Sequence, residues 1–339
     1  MSKPIKIGLV GFGRIGRNLY RIGYNNPNYQ FVAISDIGKP EALHYLLMRD
    51  SVHGPMHEEA VLEDNHLILG NQKSRILMGG RPGDIPWDVF DVDVVIDATG
   101  KFREKADLQK YLDAGAKRVI VTVPPVDEVD RVVVIGVNEQ DISAADRLIT
   151  CTSSTVHVLA LMLKILDEKY GVKRAMMTTV HAYTSDQPLA DTARSDLRRS
   201  RSAVENIIPN RTWAPGIVEQ IIPQFKGKLD GIAFNVPVSD GSCIDLTAEL
   251  EKVPTVDELN STVKQAAEGG LSGIIGYTDD PIVSSDVLGR PETLIHDAKA
   301  SMVINDKLVK TVSWFDNGWG YSKRILETID AYNRLEVQS

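Results

Sequence analysis

The sequence predicts an α/β protein of two domains: a doubly wound parallel sheet, then an α+β domain with a mostly antiparallel sheet. Three observations predict this class. Short apolar strands alternate with helices over the first 150 residues, which is typical of a parallel sheet with helices on its faces. Longer strands dominate after residue 153. The length of 339 residues is that of about two domains.

The first domain is predicted from apolar runs bounded by glycine, proline or charged residues. Buried strands are expected at 5–10, 30–35, 93–97, 118–122, 131–135 and 148–150, and helices at 14–23 and 104–114. We expect this domain to span 1–153 and to be completed by a C-terminal helix within 317–339.

The second domain is expected to span 154–316 and to carry the substrate. It begins with a long helix over about 155–169, for which Gly171 is a C-terminal stop signal. Strands are expected at 176–182, 231–236, 242–250 and 308–315, and a further helix at 256–267.

Composition excludes several classes of protein. The net charge of -8 argues against nucleic acid or an anionic membrane as the main partner. We find no signal peptide or membrane-spanning run. The cysteines, Cys151 and Cys243, form no disulfide framework, which favours a reduced cytoplasmic compartment. No Cys/His cluster has metal-ligand spacing, so no metal site is expected.

A glycine-rich turn between the first strand and the first helix predicts a Rossmann-type dinucleotide site. The first glycine permits a tight turn, the second lets a pyrophosphate approach the backbone, and the third lets helix and strand pack closely. Asp36 follows 20 residues after the third glycine, where a carboxylate binds the ribose hydroxyls. We expect cofactor contacts from Gly11, Gly13, Arg14, Ile15, Gly16 and Asp36.

The choice between NAD and NADP stays open, although Asp36 favours NAD because a carboxylate repels a 2′-phosphate. Arg81 lies in a stretch that can approach the adenosine end of the cofactor. Thr99 and Thr122 follow predicted strands at their carboxyl ends, where open α/β sheets bind ligands. These three residues are therefore further candidates for cofactor binding.

Several motifs, in order along the chain, resemble those of the phosphorylating glyceraldehyde-3-phosphate dehydrogenase family. They are Gly11-Phe12-Gly13-Arg14-Ile15-Gly16-Arg17, Asp50-Ser51-Val52-His53-Gly54, Ala98-Thr99-Gly100, Thr178-Thr179-Val180-His181, Asp196-Leu197-Arg198-Arg199 and Asp316-Asn317-Gly318-Trp319-Gly320-Tyr321-Ser322. The resemblance covers essentially the whole chain. It implies an NAD(P)-linked aldehyde dehydrogenase that works through a cysteine thioester.

The resemblance places a serine where that family has its nucleophilic cysteine. Ser154 lies 27 residues before His181, which is the family spacing, whereas Cys151 lies 30 residues before it. A hydroxyl titrates far above physiological pH and needs full activation by a general base. Three interpretations stay open: an engineered cysteine-to-serine change, a natural homologue that has lost this chemistry, or an active enzyme that uses Cys151.

The resemblance also implies two anion sites and a nicotinamide contact. Matched position by position, the residues of the inorganic phosphate site are Ser153, Thr155 and Thr212. Thr184 matches a substrate-phosphate contact, Arg199 lies between the two anion sites, and Asn317 matches the asparagine that holds the carboxamide. The chain departs from the family at two further positions: Asn235 replaces a usual arginine, and Trp213 replaces a usual glycine.

The expected function is the phosphorylating oxidation of glyceraldehyde 3-phosphate to 1,3-bisphosphoglycerate with NAD, NADP not being excluded. This chain is expected to have little activity because of Ser154. The alternatives are an erythrose-4-phosphate dehydrogenase and a non-catalytic protein that binds NAD and sugar phosphates. By analogy with the family, we expect a cytoplasmic homotetramer in glucose metabolism, with a loop over 185–202 reaching a neighbouring subunit.

Overall fold

The computed structural model describes residues 3–304 and 307–338, which form two compact units. The first unit contains residues 3–153 and 322–338, and the second contains 154–304 and 307–321. The C-terminal segment was expected to return to the first domain at 317, whereas residues 317–321 pack with the second unit. None of the helices in the described ranges is long and apolar enough to span a membrane.

The first unit is built on a nine-stranded sheet in the order β10-β11-β9-β8-β1-β2-β7-β6-β5. Its strands are β1 (Ile5–Val10), β2 (Tyr29–Asp36), β5 (Val61–Glu63), β6 (His66–Leu69), β7 (Gln72–Met78), β8 (Val94–Asp97), β9 (Arg118–Val121), β10 (Arg131–Val132) and β11 (Leu148–Thr150); β3 (Arg49–Asp50) and β4 (Gly54–Pro55) form a separate pair. Its helices are α1 (Arg14–Gly23), α2 (Pro40–Met48) and α3 (Lys105–Asp113).

The predicted parallel sheet of the first unit is confirmed. In the sheet order given above, all strands from β10 at one edge to β7 run parallel. Short apolar strands are typical of parallel sheets, because helices cover both faces of such a sheet. The prediction missed the antiparallel edge formed by β5, β6 and β7. It also extended β10 to residue 135, whereas that strand ends at Val132.

The second unit has an eight-stranded sheet in the order β13-β14-β12-β15-β19-β17-β16, with β18 paired to β19. Its strands are β12 (Val172–Ala182), β13 (Ile208–Asn210), β14 (Leu229–Val236), β15 (Ser242–Leu250), β16 (Ile275–Thr278), β17 (Leu294–Asp297), β18 (Met302–Ile304) and β19 (Leu308–Phe315). The helices are α4 (Ser154–Tyr170), α5 (Ala214–Ile221) and α6 (Val256–Glu268); α7 (Trp319–Gln338) begins in this unit.

The predicted antiparallel character of the second sheet is confirmed, with two parallel pairs within it. β12 pairs parallel with β14 and β16 with β17, and the remaining pairs are antiparallel. Helix α4 is buried along most of its length and packs against β12, β15 and α5. The parallel β12–β14 pair brings the carboxyl ends of two strands to one edge of the sheet.

Candidate active site

The three glycines at the junction of β1 and α1 differ in the space around them. Gly11 has a φ of +84°, and a Cβ there would lie 2.9 Å from the Thr99 nitrogen. A Cβ on Gly16 would lie 2.1 Å from the Gly11 carbonyl oxygen. Gly13 instead faces open space, with no heavy atom within 4 Å of its ideal Cβ position. The backbone at Gly13 is therefore accessible to a pyrophosphate beside the N-terminus of α1.

Asp36, predicted to bind the ribose hydroxyls, is the last residue of β2, and its carboxylate is hydrogen-bonded to the glycine turn. One carboxylate oxygen accepts a hydrogen bond from the Phe12 nitrogen at 2.6 Å, and the other accepts from the Gly38 nitrogen at 2.7 Å. A carboxylate oxygen has more than one lone pair, so each can still accept a bond from a ribose hydroxyl. The negative charge at this position is unfavourable for a 2′-phosphate.

The two threonines at the strand ends lie beside a buried carboxylate. The Thr99 nitrogen and hydroxyl both donate to Asp97, at 2.8 and 2.7 Å, and the Thr122 nitrogen donates to the Asp97 carbonyl at 3.1 Å. Burial raises the pKa of Asp97, against the hydrogen bonds from Thr99 and Tyr111. Thr99 and Thr122 thus share one edge of the sheet with Gly11, as predicted for a nucleotide site.

The remaining predicted cofactor contacts of the first unit are more solvent-accessible. Arg14 and Ile15 are half-buried in the first turn of α1. Arg81 is exposed, and its backbone nitrogen donates to Asp84 at 3.1 Å.

In the second unit, Ser154 is the first residue of α4. The first N–H groups of a helix have no partner within it and carry a partial positive charge, which stabilises an anion there. Ser153 and Ser154 are half-buried, and Thr155 is buried. The predicted nucleophile position therefore lies at a helix N-terminus, the environment that lowers the pKa of a catalytic thiol.

His181 lies at the end of β12 with a defined tautomer. Its Nδ1 is 2.7 Å from the Ala182 carbonyl oxygen. Because a carbonyl only accepts hydrogen bonds, Nδ1 carries a proton, and Nε2 of the neutral ring is then the basic atom. The imidazole also stands edge-on to Phe315, with 6.2 Å between the ring centroids.

Asn235 is the register partner of His181 on the parallel strand β14. Paired residues of neighbouring strands project from the same face of a sheet, so the two side chains lie side by side. Asn235 is buried, and its amide oxygen accepts from Asn210 at 3.4 Å. The position where the resemblance leads us to expect an arginine thus holds a neutral, hydrogen-bonded amide.

Thr184 and Arg199 are brought together by a residue that the sequence analysis did not single out. The Thr184 hydroxyl donates to one oxygen of Asp186, and the Arg199 guanidinium pairs with the other. Thr184 also donates its backbone N–H to Gln187 at 3.1 Å. The sequence feature that could have identified Asp186 is its position two residues after Thr184, a spacing that is typical of a turn.

Thr212 and Trp213 immediately precede helix α5. The Thr212 hydroxyl accepts from the Ala214 nitrogen at 3.2 Å, so it satisfies one unpaired donor of the first turn. Trp213 is 70% exposed. The indole therefore adds an apolar surface beside the predicted phosphate residue, where the family has no side chain.

Asn317 carries an unsatisfied amide. It is buried, and its backbone nitrogen donates to Asp240 at 2.9 Å. Neither Nδ2 nor Oδ1 of its side chain has a hydrogen-bond partner among the described residues. Because a buried polar group without a partner costs about 1–3 kcal/mol, such a group indicates a ligand. A carboxamide, with one acceptor and one donor group, fits it.

Cys151 lies between β11 and α4 and is 0% exposed. Its thiol is 3.5 Å from the Thr328 hydroxyl. Burial raises the pKa of this thiol to about 12, against the hydrogen bond with Thr328. A buried thiol that stays protonated is a poor nucleophile, so this environment does not suit a catalytic cysteine.

Comparisons with known proteins agree with the two-unit structure. Residues 5–105 match the family model of the glyceraldehyde 3-phosphate dehydrogenase NAD binding domain, and residues 150–317 match that of its C-terminal domain. The first match confirms the predicted NAD-binding domain. Cys151 falls inside the second matched range.

Curated relatives match over almost their whole length. The glyceraldehyde-3-phosphate dehydrogenase of Priestia megaterium is 44% identical over 95% of this chain and 96% of its own. Glyceraldehyde-3-phosphate dehydrogenase 1 of Bacillus subtilis is 42% identical over the same shares. That of Streptomyces coelicolor is 42% identical over 98% of this chain and 99% of its own. The chain therefore belongs to the glyceraldehyde-3-phosphate dehydrogenase family.

Proposed function

We propose that this chain binds NAD and a phosphorylated aldehyde in the manner of its family, with Ser154 at the nucleophile position. The observation that carries the proposal is the contrast between two residues. Ser154 begins helix α4, whereas the thiol of Cys151 is buried with its pKa raised to about 12. The reaction class is the phosphorylating oxidation of glyceraldehyde 3-phosphate, and its thioester step lacks a thiol at this position.

The residues around Ser154 have roles that their geometry supports. His181, protonated at Nδ1, would take a proton at Nε2 from the nucleophile. The N-terminus of α4 would stabilise the negative charge that develops there. In the first unit, the glycine turn and Asp36 would hold NAD, which would supply the hydride acceptor. In the second unit, the Asn317 amide would suit a carboxamide. With a hydroxyl in place of a thiol, we expect little turnover by the unmodified chain.

The predicted phosphate contacts remain proposals. The assignment of Thr184 and Arg199 to the substrate phosphate is supported because both side chains donate to one anionic group, the Asp186 carboxylate. The assignment of Ser153, Thr155 and Thr212 to inorganic phosphate is supported by hydroxyls at or next to the first turns of α4 and α5, where helix N-termini favour anions.

A second candidate function is a non-catalytic protein that binds NAD and a sugar phosphate. The serine at position 154 favours it, because binding does not need a thiol.

Asn235 and Trp213 favour a substrate that differs from glyceraldehyde 3-phosphate, and erythrose 4-phosphate is the nearest alternative. The preference for NAD over NADP is supported by the charge of Asp36.

We also propose a homotetramer located in the cytoplasm. Exposed apolar side chains in and beyond the 185–202 segment support an interface between subunits. Leu189, Leu197 and Ile207 are exposed there, Leu197 at 81%. Such a concentration of apolar surface is typical of a contact with another chain.

The experiment that tests the proposed function restores the thiol. We expect calorimetry to detect NAD binding to the unmodified chain, and the absorbance of reduced NAD to show negligible phosphate-dependent NAD reduction. Ser154→Cys should raise turnover with glyceraldehyde 3-phosphate or erythrose 4-phosphate by at least about 10³-fold. If this variant stays inactive with both aldehydes, the catalytic proposal fails. Rapid turnover by the unmodified chain that Cys151→Ala abolishes would assign the chemistry to Cys151.

A further inference from the structure

Two side chains assigned to phosphate recognition already bind an anion of the protein itself. The Asp186 carboxylate accepts the hydroxyl proton of Thr184 on one oxygen and the guanidinium of Arg199 on the other. A hydroxyl and an arginine fork are donors that bind phosphate oxygens equally well. Asp186 thus occupies donors that a phosphate ester would use.

The position of this cluster in the fold agrees with a role at the substrate site. Thr184 follows the end of β12 by two residues, and Arg199 lies in a helical turn, Arg198–Ser200, that packs against β13. Strand β13 pairs with β14, which carries Asn235 beside His181. The cluster therefore lies at the edge where the carboxyl ends of β12 and β14 meet.

At this edge, the Asp186 carboxylate has a larger effect on phosphate binding than it would have beside a second cation. Asn235 is neutral where the family has an arginine, and its amide is bonded to Asn210. The positive charge of Arg199 is balanced by Asp186. Like charges repel, and the repulsion is stronger near a protein surface than in bulk water, so an incoming phosphate is repelled unless the carboxylate moves away.

We propose that Asp186 is an internal competitor for the substrate phosphate, and so a residue that sets the affinity of this chain for phosphate esters. The proposal rests on the proposed function in taking Thr184 and Arg199 as phosphate contacts. A phosphate ester binds by displacing the carboxylate from both donors. Asp186 touches the binding groups and not the reacting atoms, so its effect is on binding and not on the chemical step.

The test measures the dissociation constant of glycerol 3-phosphate, an unreactive analogue of the substrate, by calorimetry at constant low ionic strength. Asp186→Asn keeps the shape of the side chain and removes its charge. We expect it to tighten binding about tenfold, and Asp186→Ser to do the same if the asparagine variant is poorly folded. Asn235→Arg, which adds a cation on the neighbouring strand, should also tighten binding about tenfold.

The matched control is Asp191→Asn. Asp191 lies in the same loop and pairs with Arg201 at 3.0 Å, so its removal changes the net charge equally without freeing Thr184 or Arg199. We expect this control to change the dissociation constant less than twofold. Equal tightening by both asparagine variants would show a general charge effect and overturn the proposal.

Unchanged or weaker binding in Asp186→Asn would also overturn the proposal, because it would mean that Asp186 only holds Arg199 in place. These binding measurements need no turnover. They are therefore independent of the Ser154→Cys experiment, and each proposal can fail while the other stands.

Discussion

The carbonyl oxygen of Gly11 occupies the place that a side chain on Gly16 would need. An ideal Cβ on Gly16 would lie 2.1 Å from that oxygen, far inside van der Waals contact. The neighbouring glycine differs, because Gly13 has open space around its ideal Cβ and an ordinary backbone with φ −73° and ψ −157°. Within one turn, Gly16 leaves no room for a side chain, whereas Gly13 leaves the open space that the proposed pyrophosphate contact needs.

This contrast predicts opposite effects of two alanine substitutions. Gly16→Ala should destabilise the chain by about 1–3 kcal/mol or more, because backbone atoms must move. Gly13→Ala should leave the free energy of unfolding within about 1 kcal/mol of the parent and weaken NAD binding at least tenfold, because its methyl group faces the pyrophosphate. Urea denaturation and calorimetry with NAD check the two effects. Equal stability of the two variants would contradict the assigned roles.

The sequence predicts the central elements of both sheets well, because their hydrophobic pattern is strong. Alternation of apolar and polar residues identifies β15 over Ser242–Leu250, and the glycine turn identifies α1 over Arg14–Gly23. The short edge strands β5 and β6 escape prediction, since few of their residues are buried and pairing with β7 holds them. Helix α5 escapes because its eight residues are too few to show a period.

The residues of the candidate site can be predicted where a motif fixes the residue type. They are harder to predict where they depend on contacts between segments that are distant in sequence. His181 and Ser154 follow from the resemblance to the family, which has this 27-residue spacing, and Asp36 follows from its place at the end of β2. By contrast, Asp186 joins Thr184 to Arg199, which lies 13 positions after Asp186 in an irregular loop. Asn210 contacts Asn235 from another strand. No periodic pattern encodes such contacts, because they depend on how the loops and strands pack.

Thiol labelling tests the environment assigned to Cys151. With a pKa of about 12, roughly 10⁻⁴ of its thiol is ionised at pH 8, and the sulfur is buried. Burial likewise raises the pKa of Cys243 to about 11. We expect slow alkylation of the native chain and fast alkylation after unfolding, followed by mass spectrometry. Ser154→Cys should add one rapidly alkylated thiol, whereas rapid labelling of native Cys151 would refute the burial argument.

Acidification should destabilise the second unit through His296. Burial lowers the pKa of this histidine from 6.5 to about 4, and its Nε2 lies 3.0 Å from the Asn260 amide oxygen. In the unfolded chain His296 takes up a proton below pH 6.5, whereas in the folded chain it does so only near pH 4. Stability is therefore fully retained above pH 6.5 and is lost as the pH falls towards 4.

The measurement for His296 is the free energy of unfolding at pH 7 and pH 5. Between these values the parent should lose about 2 kcal/mol more stability than His296→Gln, which cannot titrate. His57→Gln, at an exposed position, is the control and should follow the parent. An equal loss in the His296 variant would show that this histidine is not held neutral.

Substitution of Asn317 can distinguish a ligand-binding role of its unsatisfied amide from a structural role. Because Nδ2 and Oδ1 have no partner among the described residues, Asn317→Leu, which has a similar volume, should leave the NAD-free chain as stable as the parent or slightly more stable. In the Ser154→Cys background the same change should lower turnover at least tenfold, because the carboxamide loses its partner. Thermal unfolding without NAD and initial rates with NAD measure the two effects. A loss of about 2 kcal/mol or more without NAD would instead indicate that the amide supports the fold, since removing a satisfied hydrogen bond in the core carries that cost.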